Sequence, residues 1–451
     1  MTTSEGVSNR QVSIVVYVLG VDLGTQSLKV LALDEAGRVR ARAAATYPVS
    51  YPRPGWAEQD PCDWEAALAE ALGRLLDESG IRGAEIGGIG VAAQVDGVVA
   101  VDDANRPLGP APIWSDRRAT EETARLAERV DRTSLRETTG LNLDASHVAP
   151  KIAWLRAAGD ARRSAAAYLL PGSYLVARLT GARVVDHANA SSTLLYDIRA
   201  RDWSEALLGA TRIEPGLLAP IAVATEVAGG LTPRAADRLG LPRGCPVAVG
   251  TGDEHAAALA AGALEPGIVC DIAGTAEPVG VAAREPRVDP SGLVETHAHV
   301  PVDRWLVENP GWVSGGSVRW LADVLGVDQA TVIELAAGAP PGAEGVTFLP
   351  TLGGSVAPRW NDRVRGAFAG LTAAHGRSHL ARAVLEGCAF PLRDVVDRLA
   401  DLGLGGEAIR VAGGGARSGL WLQIKADVTG RPVVALAEPE VTALGGAIVA
   451  A

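Results

Sequence analysis

Apolar residues follow two rhythms along this chain. Short β-branched runs alternate with longer stretches in which apolar side chains recur at helical spacing, so strands are expected to alternate with helices. Residues 13–33 read as a strand, a Gly24-Thr25 turn and a second strand over 28–33, with Asp34-Glu35-Ala36-Gly37 as the next turn and a third strand beyond it. Trp64 to Leu76 has a helical period, and Ile86 to Ala93 reads as a buried strand among glycines. Helical patterns follow over 119–130, 149–158 and 171–179. After Pro246 the plan restarts: strand 247–250, a small-residue helix 256–261, strand 268–273, a second Gly-Thr turn and strand 278–282. Helices over 318–325, 379–399 and 419–428 belong to this second half, and Pro/Gly clusters at 338–345 and 353–358 read as loops. The pattern is α/β and resembles a duplication, with the boundary near 245–255 and domains over 1–250 and 251–451.

Composition narrows the function. A chain of 451 residues exceeds one core, and 47% hydrophobic residues are ample for two. A net charge of −11 argues against nucleic-acid or anionic-membrane partners and favours a small-molecule substrate. Cys62, Cys245, Cys270 and Cys388 have no metal-site spacing and read as reduced packing thiols. The apolar stretch 12–23 is interrupted by Asp22 and falls short of the ~20 residues that a spanning helix needs. Residues 1–10 read as a loose polar arm, and the expected location is the cytoplasm.

The two halves share a chemical signal. Asp22-Leu23-Gly24-Thr25 and Asp271-Ile272-Ala273-Gly274-Thr275 each place a Gly-Thr pair after a strand, leaving backbone N–H groups and a hydroxyl to face an anion. Val247 to Gly252 leads into Asp253-Glu254-His255, and Ile409 to Ala412 leads into Gly413-Gly414-Gly415-Ala416. No Gly-Lys dipeptide occurs, which excludes the P-loop. A phosphate gripped from two sides, with a carboxylate beside it, points to phosphoryl transfer. The structural alternative is that Asp253 caps the helix that follows, a job compatible with catalysis. His297 and His299 share one strand face, but with no third ligand evident they read as ordinary strand histidines. Trp305, Trp312 and Trp320 read as packing residues rather than a sugar-stacking set. With only three lysines, phosphate-facing cations are expected to be mostly Arg.

Several segments together resemble the FGGY carbohydrate kinases over nearly the whole chain, from Val18 to Ala450. They are Gly366-Ala367-Phe368-Ala369-Gly370-Leu371 with His379 to Glu386, Trp56 to Pro61, Pro112 to Arg118, and Pro150 to Leu155. Within that family the likeness is to the xylulokinase group. The resemblance implies a two-domain actin-like (ribonuclease H-like) sugar kinase fold with an interdomain cleft, ATP with Mg²⁺ as cofactor, and phosphorylation of a ketopentose such as D-xylulose. Another ketose or polyol (L-xylulose, ribulose, a tetritol, a hexulose) is the alternative substrate, and a catalytically silent nucleotide-dependent sugar sensor is the alternative from a different class. A homodimer stays open. By the same resemblance Asp22 holds the metal through water, while Gly24, Thr25, Gln26 and Ser27 with Gly274 and Thr275 approach the phosphates. Gly413, Gly414, Gly415 and Ala416 line the adenosine pocket, and Asp253 is the general base. Gln94, Val95, Asp96, Trp114, Asp253 and Glu254 meet the sugar. Two departures stand out: Val95-Asp96 replaces the group's usual Met-His, and Glu277 puts an acid in the second loop. The helical pattern also stops at Ala451, so the second domain is expected to lack a final helix.

Overall fold

The first apolar run closes as a hairpin. In the computed structural model, which describes residues 16–451 except 160, 356, 358–360 and 362, β1 (Tyr17–Leu23) pairs antiparallel with β2 (Ser27–Leu33), and β2 with β3 (Val39–Thr46). The expected arm over 1–10 and part of the 353–358 loop lie outside the described residues. Helix α1 (Pro61–Ser79) then covers β2 and β3. Its start is fixed by Asp60, whose carboxylate accepts from the Cys62 amide, with Pro61 in the first turn; Gly80, at φ 72°, ends it. Trp64, Ala67, Leu68, Ala71, Leu72 and Leu75 form its buried stripe, one face of a 3.6-residue period.

β4 (Ile86–Ala93) joins β1 in parallel, and β5 (Val227–Gly230), β6 (Pro246–Ala248) and the two-residue β7 (Thr251–Gly252) complete a seven-stranded sheet. Its path is β5-β6-β4-β1-β2-β3, with β7 beside β4. Helix α2 (Asp253–Ala260) leads out of it. The second sheet has six strands: β8 (Ile268–Ile272), β9 (Val279–Ala283), β10 (Glu295–Ala298), β11 (Trp305–Asn309), β12 (Ala408–Ala412) and β13 (Val433–Ala435), ordered β10-β11-β9-β8-β12-β13. In both halves a hairpin's first strand pairs in parallel with a later strand: β1 with β4, β8 with β12. The restart in the sequence is thus a repeated topology.

The second half adds α3 (Arg377–Asp401) and α4 (Gly419–Thr429), and a two-stranded hairpin in which Ala367–Ala369 pairs with Thr347–Leu349. The last helix, α5 (Val441–Ala450), returns to the first sheet and lies against β1, β4 and α2. This approach is close enough to demand glycine. A Cβ on Gly90 would fall 1.9 Å from the Gly446 carbonyl oxygen, and one on Gly445 would fall 2.0 Å from that of Ala256.

Cys245, Cys270 and Cys388 are buried, whereas Cys62 is exposed, so a packing role holds for three of the four thiols. The tryptophans do separate jobs. Trp305 donates to the Ile198 carbonyl (3.1 Å), Trp320 stacks near Phe348 and Phe368, and Trp312 packs on the core of the second sheet. No helix among the described residues is long and apolar enough to cross a membrane.

Candidate active site

Parallel pairing brings strand C-termini together. Asp22 and Thr251 both register on Ala92, so the chain leaves β1, β4 and β7 side by side at one edge, where open parallel sheets receive ligands. Two loops and a helix begin there: Gly24 to Ser27, Gln94 to Gly97, and α2 with Asp253 in its first turn. In the second sheet Ile272 registers on Ala412, which sets Gly274-Thr275 beside Gly413 to Ala416. Between the two edges opens a cleft of about 850 Å³.

Asp22, Gly24, Thr25, Gln26, Ser27, Val95, Asp96, Trp114, Asp253 and Glu254 line this cleft from the first half, and Gly274 and Thr275 from the second. Two groups of predicted residues stand elsewhere. Gln94 is 1% exposed and donates to the Gln59 side chain (2.8 Å), so it braces the strand end beneath the floor instead of facing the cleft. Gly413 to Ala416 lie behind the second loop: the Gly415 amide donates to the Ala273 carbonyl (2.9 Å). Gly413 adopts φ 83° with the same carbonyl where a Cβ would be, so only glycine fits there.

The side of the cleft formed by the two Gly-Thr loops is held from several directions. Trp114 Nε1 donates to Thr25 Oγ1 (2.8 Å), fixing the first loop's hydroxyl. Asp22 lies opposite Lys29 across the hairpin, with Nζ to Oδ2 at 3.9 Å, and Lys29 also pairs with Glu440 (2.6 Å) at the start of α5. Burial pushes the Asp22 carboxyl up to about 6, against the pull of Lys29. Glu277, the unexpected acid, is turned away from the cleft. It accepts from Lys425 Nζ (2.9 Å) and from the Ser314 hydroxyl, and Lys425 also binds Asp271 (2.5 Å), all three ionisable groups being fully buried.

On the opposite side, Asp253 occupies the first turn of α2, and Gly252, not Asp253, is the N-cap. Its Oδ1 accepts from the Glu254 amide (3.0 Å), while burial and then the Asp22 charge push its carboxyl up to about 7. Asp96 takes a left-handed φ of 58°, held by Lys151, whose ammonium donates to the carbonyls of Asp96 and Ile113 (both 2.7 Å). His147 Nδ1 stands 3.3 Å from Asp96 Oδ2. Burial disfavours a charged imidazole, but Asp96 outweighs it and lifts His147 to about 9, so a carboxylate–imidazolium pair faces the cleft. Glu295, which accepts from the Asn142 amide and side chain (2.8 Å each), closes this side.

Sequence reasoning missed Lys29, Lys151, Lys425, His147, Glu295 and Arg117, the last also a cleft residue. A signal existed for the lysines. All three in the chain stand in or directly beneath the site, while 39 arginines serve elsewhere and at its rim.

Two similar α/β halves, each offering a glycine loop to a shared cleft that also holds buried carboxylates, make up the two-domain actin-like sugar kinase fold. The chain belongs to the FGGY family of carbohydrate kinases: the N-terminal domain model of that family matches residues 17–260 and the C-terminal domain model residues 271–451. It is 33% identical to the xylulose kinase of Escherichia coli over 415 residues, covering 92% of this chain and 85% of that one. It is 34% identical to the glycerol kinase of Aromatoleum aromaticum over 450 residues, covering 96% and 89%. Among solved structures, xylulose kinase from Rhodospirillum rubrum superposes with a TM-score of 0.86 at 33% identity, covering 96% of this chain and 89% of that one. The protein is thus an ATP-dependent sugar or polyol kinase of the xylulokinase-like group.

Proposed function

We propose that the protein transfers the γ-phosphate of Mg-ATP to a terminal hydroxyl of a ketopentose, D-xylulose foremost, giving the 5-phosphate. One observation carries this reading: Asp253 faces the same cleft as the Asp96–His147 pair on one side and the two Gly-Thr loops on the other. Asp253 takes the proton of the attacking hydroxyl as its oxygen bonds to phosphorus, the β–γ bridging P–O bond breaks and ADP leaves. Asp96 accepts from sugar hydroxyls and His147 donates to sugar oxygens, a polar pair suited to a polyhydroxylated substrate. The backbone of Thr25 and Gln26 and of Thr275, at the tips of the two turns, orients the phosphates, while the Gly24 and Gly274 amides close those turns by donating to Ser27 and to Ile272 and Ala276.

The residues fit Mg²⁺. Asp22 offers hard carboxylate oxygens at the cleft, and Lys29, at 3.9 Å, is its one ion-pair partner among the described residues. A single carboxylate together with phosphate oxygens suits an ion that keeps several waters. When bound with ATP, Mg²⁺ supplies positive charge against the transferred group.

A polyol substrate is the second reading, favoured by Asp96 standing where the xylulokinase pattern has His, and by the similar identities to xylulose and glycerol kinases. ADP release is measured across D-xylulose, L-xylulose, ribulose, a tetritol, hexuloses and glycerol. The expected result is a kcat/KM for D-xylulose at least ~10-fold above every other acceptor. A higher value for glycerol or a tetritol replaces the ketopentose reading with the polyol one.

A further inference from the structure

Next to the base-bearing turn lies a group of side chains that phosphoryl transfer leaves unused. His255 from α2, His297 from β10 and Glu308 from β11 each offer one ligand atom, and these atoms all lie within 4.8 Å of one another. They come from two units of the fold, because α2 leads out of the first sheet while β10 and β11 are paired strands of the second. The rings of His255 and His297 meet edge to face at 5.4 Å, and His297 Nε2 stands 3.7 Å from Glu308 Oε1, beyond hydrogen-bond reach.

His255 is completely enclosed, yet neither of its ring nitrogens has a hydrogen-bond partner. Nδ1 of His297 and Oε1 of Glu308 are likewise without one. Each orphan forgoes hydration with nothing in return, and one ligand atom from each of the three side chains lies within 4.8 Å of the other two, which implies a shared occupant. Two imidazoles and one carboxylate form a nitrogen-rich donor set, which suits Zn²⁺ and similar first-row divalent ions and does not suit Mg²⁺ or Ca²⁺. His299, whose Nε2 donates to the Ala263 carbonyl (2.8 Å), stands outside the trio. The pairing of His297 with its neighbour two residues on hid the site from sequence reading, because the other two ligands come from distant segments.

We propose that His255, His297 and Glu308 bind Zn²⁺ or a chemically similar divalent ion that clamps the helix carrying Asp253 to the second sheet. His297 also lines the cleft, which gives the ion a route in.

The untagged full chain, stripped with chelator, is titrated with Zn²⁺ and with Co²⁺. One tightly held Zn²⁺ per chain is expected, with a four-coordinate Co²⁺ absorption spectrum and a thermal midpoint that rises with Zn²⁺ and falls with chelator. His297→Gln and Glu308→Gln, which keep the side-chain bulk, should weaken Zn²⁺ binding by at least ~100-fold, whereas Asp22→Asn should leave it unchanged. A wild-type chain that yields all its Zn²⁺ to a weak competing chelator overturns the proposal, whether or not the variants fold. So does Zn²⁺ binding that survives both Gln variants, or that disappears in Asp22→Asn. Stoichiometry is read without sugar or ATP, so any of these results leaves the kinase assignment untouched.

Discussion

Asp253 begins a helix without capping it, and this frees its second carboxylate oxygen for chemistry while the first accepts from the Glu254 amide. Asp253→Asn keeps the shape and removes the basicity. Turnover should fall by ~10²–10⁴-fold while calorimetry still records Mg-ATP binding; near-normal turnover would remove the base role. The role proposed for Asp96 concerns the other substrate, the sugar. Asp96→Ala should cut kcat/KM for the preferred sugar by ~10–100-fold with the ATP KM unchanged, and should alter the order of preference across a sugar panel. Equal losses for every sugar would make Asp96 a turn residue only. At this scale the sequence was legible where chemistry is local: Asp22, the Gly-Thr pairs and Asp253 announce themselves by their neighbours along the chain. His147 and Lys151 were not, because their meaning lies in contacts with Asp96 some 50 residues away. The lysines were legible in principle, since a chain that writes almost every cation as Arg keeps Lys only where a compact ammonium is needed.

The two hairpins show how like elements diverge. Asp22 and Asp271 hold the same place, next to last in β1 and in β8. The first opens on the cleft beside Lys29, while the second is sealed under its loop by Lys425 and shares that ammonium with Glu277. One carboxylate is thus available to a ligand and the other fastens the loop that faces it. Lys425→Met would leave two buried carboxylates without a counter-ion and should cost about 3–5 kcal/mol, read as a lower urea midpoint. A Lys425→Met, Glu277→Leu double variant should recover part of that loss. The duplicated Gly-Thr turns and the restart after Pro246 made the hairpins themselves readable from the sequence. Glu277's partner was not readable from the local pattern, because Lys425 sits on a helix in another layer, and only the scarcity of lysine marked it.

Across the whole molecule, α5 is the element that joins the ends of the chain. Its buried face, from Val441 to Val449, lies on β1, β4 and α2, and Glu440 at its start reaches Lys29 beside Asp22. The sequence pattern showed a helix running to Ala451, but its small residues carry no stripe that says which face is buried; only the facing glycines explain why it must be so smooth. Gly90→Ala should lower stability by at least ~1–3 kcal/mol, measured by urea denaturation, because the helix backbone must lift to make room. There is a consequence for birth on the ribosome. Synthesis runs from the N-terminus, and the first sheet, complete by Gly252, waits with one face uncovered for some 190 further residues until its own lid emerges. Until α5 has been made, the nascent chain carries uncovered apolar surface on β1 and β4, which a chaperone or the second half itself must shield.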